Sequence, residues 1–101
     1  MFLGACESLY TPSYAFTHNY SDSELRLAEQ YVTSIKIVSW RNMGGNLADV
    51  NIGGYMRISD EQLGDHYFNS YKHELAHLYE YHVLGMTWED TGNHKGWTPH
   101  R

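Results

Sequence analysis

The spacing of apolar and polar positions changes along this chain, and each change marks an element. Leu25, Ala28 and Val32 recur at helical spacing behind Ser21 and Ser23, either of which can cap a helix. This predicts a helix running to about Thr33. Residues 35–40 read Ile, Lys, Ile, Val, Ser, Trp, a β-branched run that predicts a strand. Asn42-Met43-Gly44-Gly45-Asn46 predicts a turn, and residues 47–58 predict one or two strands bent at Gly53-Gly54. Residues 60–64 then link to a long amphipathic segment, residues 65–84, which no proline interrupts.

On a helical wheel with His73 at 0°, Tyr71, Leu75 and Leu78 fall between about 140° and 200°, with Phe68 and Tyr79 near 220–240°. This stripe should pack inward and leave the His73 side facing a cleft. Asp65 suits the cap of such a helix, and Gly85 suits its terminator. Residues 1–20 are aromatic, polar and aperiodic, and Pro12 breaks any helix there. They read as an N-terminal arm laid across the domain. Helix, strands, long helix and loop in that order predict an α+β domain with a small, mainly antiparallel sheet. A chain of 101 residues makes one domain, 1–101, with a small core.

The chemistry lies on the long helix. His73-Glu74-Leu75-Ala76-His77 has the form H-E-x-x-H. At about 100° per residue, His73 and His77 lie about 40° apart on one face and about 6 Å apart along the axis. Two imidazoles so placed can grip one zinc ion (Zn2+), and Glu74 on the flank can take a proton from a zinc-bound water. The pattern therefore suggests metal-assisted hydrolysis, with His73 and His77 as metal ligands and Glu74 as catalytic base. On the same wheel His82 falls near 180°, which predicts a core or boundary histidine and not a ligand. Glu80 falls on the metal face but about 7.5 Å beyond the midpoint of the histidines, so it is expected behind the ligands or in solvent.

A catalytic zinc usually takes three protein ligands and keeps one open position. The longer pattern H-E-x-x-H-x-x-G-x-x-H fails, because Glu80 and Val83 stand where it needs Gly and His. His94, in Asp90-Thr91-Gly92-Asn93-His94-Lys95-Gly96-Trp97, is the best third metal ligand, ahead of Glu89, Asp90 and His100.

His-Glu-Leu-Ala-His at 73–77, followed by a loop and the histidine of Gly92-Asn93-His94-Lys95-Gly96-Trp97, resembles the SprT-like (Spartan-type) zinc metallopeptidases. Residues 51–59, Asn-Ile-Gly-Gly-Tyr-Met-Arg-Ile-Ser, look like that family's glycine-containing strand ahead of the active-site helix. Such a strand offers an edge on which a peptide substrate pairs. The resemblance covers about residues 51–101, with a weaker echo back to Ser21. It implies a minimal zincin-like domain that cleaves peptide bonds, with His73, His77 and His94 on zinc and Glu74 as general base. In this chain Lys95 follows His94, with Gly96 one place later, and Cys6 as the only cysteine excludes a zinc ribbon.

Composition narrows the partners. The net charge is −5 and both halves of the chain are acidic, so no direct nucleic-acid binding is expected. No run of about 18 apolar residues marks a membrane span. Leu3-Gly4-Ala5-Cys6 looks like a lipoprotein processing site, but neither a basic start nor an apolar run precedes it, so it is not read as a signal peptide. A single cysteine suits a reducing, cytoplasmic setting. The expected partner is a protein or peptide substrate. Two other readings stay open: a hydrolase of another amide or ester, and a catalytically silent zinc-binding interaction module or subunit of a larger assembly.

Overall fold

The structure is a computed structural model that describes residues 4–8 and 16–99. Its elements are β1 (Gly4–Ser8), β2 (Phe16–Thr17), α1 (Asp22–Arg26), β3 (Ser34–Val38), β4 (Asn46–Asn51), β5 (Tyr55–Ser59), α2 (Asp65–His82), α3 (Trp88–Gly92) and β6 (Thr98–Pro99). A four-stranded sheet runs in the order β1-β4-β5-β3, and β2 pairs with β6 in a separate ribbon. The β1–β4 and β4–β5 pairs are antiparallel and the β3–β5 pair is parallel. The domain is thus α+β with a mixed sheet in which antiparallel pairing predominates.

Strand register sorts the two sheet faces. Ala48 pairs with Ile58 and Val50 with Met56, and all four are buried. They meet Leu75, Ala76, Leu78 and Tyr79 of α2 in one core, joined by Leu25, Ala28 and Trp97. Asp49 and Arg57, paired between them, turn to the opposite face, where Arg57 Nε donates to Asp49 Oδ1 at 2.8 Å. Ile35 and Ile37 of β3 pair with Met56 and Ile58, yet they are exposed at the sheet edge.

Several expectations shift. The first helix is only Asp22–Arg26, followed by a 3-10 turn at Glu29–Tyr31. Its start is as expected: Ser21 accepts from the Glu24 N–H and the Glu24 carboxylate accepts from the Ser21 N–H, a capping box. Tyr71 and Tyr79 of α2 donate to Glu29 and Glu24, one on each side of its end, and hold the segment as a strap. The strand expected at 35–40 ends at Val38, and Trp40 opens a 3-10 turn whose N–H is held by Asp60 Oδ1. Asp65 is the first residue of α2 and not its cap; Gly64, with φ 57°, takes that position without a side-chain bond. Phe68 is 58% exposed, on the outward side of the first turns of α2, where Tyr67 and not Phe68 packs against the core. The described part of the N-terminal arm contains two strands: β1 completes the sheet and β2 pairs with β6, with residues 18–20 irregular.

The expected edge for a peptide is also absent. β5, within residues 51–59, lies between β4 and β3, so both of its sides are already paired. The crossover from β3 causes this, because it brings β3 in parallel beside β5. Gly54 controls that junction. Its carbonyl accepts from Thr33 and Ser34 N–H, and at φ 81° a Cβ there would lie 1.9 Å from the Tyr31 carbonyl oxygen. Gly54→Ala should therefore destabilise the fold by about 3 kcal/mol or more, read as a lower urea midpoint. Gly44→Ala, also at positive φ but in open space, should cost only about 1 kcal/mol.

Candidate metal centre

Helical geometry places His73 and His77 together in the buried middle of α2. Beyond α2, Gly85 (φ 75°) reverses the chain, and the Thr87 side chain caps α3 by accepting from Asp90 N–H. α3 packs back on α2 and delivers Thr91, which is fully buried, beside His77. The turn after it is fixed by His94 N–H donating to the Thr91 carbonyl and Trp97 N–H donating to the His94 carbonyl. His94 takes the left-handed conformation, φ 58°, and is the only non-glycine among the described residues with positive φ. Such a backbone is uncommon outside Gly, Asn, Asp and His, and it persists where the surroundings impose it.

This backbone turns His94 onto the helical pair. His94 Nε2 lies 3.2 Å from His73 Nε2, and one ligand atom from each of His73, His77 and His94 falls within 4.8 Å of the others. Tetrahedral ligation with bonds of about 2.0–2.1 Å puts donor nitrogens about 3.3 Å apart. The closest pair already fits, and the widest needs to draw in by at most about 1.5 Å. His77 Nδ1 is 3.1 Å from Thr91 Oγ1, whereas His77 Nε2 is buried with no hydrogen-bond partner among the described residues. A buried nitrogen without a partner is costly unless something fills the position, and a cation does so. The three histidines thus lie close enough to bind one metal ion.

Electrostatics prepares the same state. Burial lowers the His73 pKa to about 3, helped by His94 and His18, and drives that of His77 well below the ordinary range. Burial also lowers that of His94, and that of His18 nearby. Neutral imidazole is the form that ligates. Glu74 is fully buried, with Oε1 3.9 Å from His73 Nε2, so its carboxylate stands at the edge of the histidine cluster.

Trp97 roofs the site. Its ring stacks on His77 (4.8 Å between centroids, 15° between planes) and meets His73 and His94 edge-on at 5.0 and 4.8 Å. Trp97 Nε1 donates to Glu80, which also accepts from Thr91 Oγ1 and from the Tyr20 hydroxyl. Glu80 is therefore behind the ligands and not in solvent, and its partners reach it from outside the helix. The expected open cleft is instead nearly closed, with His73 4% and His77 0% exposed; the half-buried His94 marks the accessible side.

The other sequence candidates lie elsewhere. His82 stacks on Tyr31 at 4.1 Å, the boundary role expected for it. Glu89 is exposed, Asp90 pairs with Lys95 at 3.5 Å, and His100 lies outside the described residues. Thr91, Tyr20 and His18 were not picked out by spacing, since none belongs to a motif; they reach the site only through tertiary packing. Among the described residues no helix is long and apolar enough to cross a membrane. Comparison with protein-family models, with curated proteins and with solved structures finds no match to this chain.

Because folding depresses the pKa of His73 and His77, the unfolded chain binds more protons below about pH 6.5, and stability falls as pH falls through that range. Metal-free protein should lose about 2–3 kcal/mol of unfolding free energy between pH 7.5 and 5.5. Urea titrations in chelator at the two pH values check this. A flat profile would mean that these two imidazoles are not held neutral.

Proposed function

We propose that this chain is a zinc-dependent metallopeptidase of SprT-like, zincin-like type, with His73, His77 and His94 as zinc ligands and Glu74 as general base. The observation that carries the reading is the position of Glu74. Three neutral imidazoles suffice to hold zinc, so a fully buried carboxylate 3.9 Å from a ligand nitrogen has no role in holding it. A bound zinc ion would lower the pKa of water and polarise a carbonyl oxygen. Glu74 would accept the proton from the attacking water and pass it to the leaving amine. His73, His77 and His94 would hold the reaction centre in place, while Trp97 keeps bulk water off one side. The substrate on this reading is a peptide or an unfolded protein segment.

A second reading, a zinc-stabilised interaction module without turnover, is favoured by one observation: His73 and His77 have almost no exposed surface. It uses the same ligands and gives Glu74 no chemical task.

Purified protein should carry about one equivalent of zinc, and His94→Ala should weaken zinc binding far more than His82→Ala, whose ring lies against Tyr31. Elemental analysis and competition titration with a chelator check this; equal losses for the two variants would sink the ligand set. Glu74→Gln should keep zinc and fold but lower single-turnover cleavage of an unfolded protein about 10²–10⁴-fold. Equal rates at matched zinc occupancy would remove Glu74 as the base. Absence of cleavage by either protein across varied substrates would favour the interaction module.

A further inference from the structure

Glu80 is 1% exposed and accepts from three donors on three different segments. Tyr20 Oη donates at 2.6 Å to Oε2, Trp97 Nε1 at 2.9 and 3.0 Å to both oxygens, and Thr91 Oγ1 at 2.5 Å to Oε1. An ionised carboxylate only accepts, an indole N–H only donates, and a threonine hydroxyl owns a single hydrogen. That hydrogen is committed to Glu80. Thr91 Oγ1 can then meet His77 Nδ1, 3.1 Å away, only as an acceptor. His77 must therefore carry its proton on Nδ1. Its other nitrogen, Nε2, is the buried atom without a hydrogen-bond partner among the described residues.

We propose that Glu80, acting through Thr91, is the positioning group that holds His77 as the Nδ1–H tautomer and so presents the Nε2 lone pair to the metal. This rests on the metal-binding part of the reading above and is independent of peptidase activity. Without the carboxylate, the Thr91 hydroxyl is free to turn and donate to Nδ1. The imidazole proton would then sit on Nε2, where it blocks ligation. Glu80 favours the first arrangement, in the same sense as the Thr91 backbone, which also bonds the His77 ring, and Tyr20 and Trp97 keep its carboxylate from swinging away. Trp97 adds a second restraint, because the ring that donates to Glu80 also stacks on His77 and limits its rotation. Partners behind a metal-ligating histidine fix its tautomer and orientation, and removing them typically weakens metal binding 10–100-fold.

The test uses the full chain. Nitrogen-15 NMR of the chelator-treated protein should show His77 with a protonated Nδ1 and a bare Nε2. Thr91→Val keeps the shape and removes the hydroxyl; it should lower zinc affinity about 10–100-fold and lose the single His77 tautomer, with wild-type circular dichroism. Thr91→Ser, which retains the hydroxyl, should restore both. Glu80→Gln can donate an amide hydrogen to Thr91 Oγ1, which reverses the relay, so its His77 should shift towards Nε2–H. If Glu80→Gln does not fold, the pair Thr91→Val and Thr91→Ser still decides. Nε2–H in the wild type, or wild-type zinc affinity in Thr91→Val, would overturn the relay. A wild-type chain that takes up no zinc would instead overturn the metal reading, while its metal-free tautomer still judges the relay.

Discussion

A carboxylate buried inside a small domain must be surrounded by donors, and the demand of Glu80 for them organises the half of this molecule that carries the histidines. Its three partners come from the segment before α1, from α3 and from the turn before β6. Each partner fixes something else in turn. Thr91 meets His77, and Trp97 covers all three histidines. Tyr20 packs on Tyr79, which binds the capping glutamate of α1. The same charge thus ties the N-terminal strap, the C-terminal turn and the ligand-bearing helix into one unit, across more than 70 residues of sequence.

The sheet supplies the floor on which this unit stands. Ala48 and Val50 are the small and branched residues of β4, and with Met56 and Ile58 they give a flat surface for Leu75, Leu78 and Tyr79. Burying that face turns the opposite side of α2, with His73, Glu74 and His77, towards α3 and Trp97 instead of water. Desolvation of the imidazoles follows from this covering, and with it their neutrality.

Much of the site was legible because it depends on local rules. The period of residues 65–84 gave α2 almost to its ends, the spacing of His73 and His77 gave their shared face, and the stop at Gly85 implied a chain that could bring His94 back. What was not legible depends on who arrives from elsewhere. A bare wheel judged Glu80 by its own reach, whereas Thr91, Trp97 and Tyr20 came to it. Residues 51–59 read as an edge strand because nothing local announces that β3 will join in parallel on the open side. Phe68 follows the apolar period, yet at the start of α2 it is the neighbouring Tyr67 that meets the core and Phe68 that stays exposed. The left-handed backbone of His94 gave no sequence signal apart from the tolerance of histidine for it.

The placement of Trp97 makes this protein its own spectroscopic instrument. Its indole lies about one ring's breadth from three imidazoles, whereas Trp40 is exposed beyond the end of β3 and Trp88 packs on Tyr81. Excited-state energy passes efficiently to a nearby ion with visible absorption bands, so cobalt or copper entering among the histidines would darken Trp97 most strongly. The emission of Trp97 would then follow loading of the centre in real time, without an added dye or label.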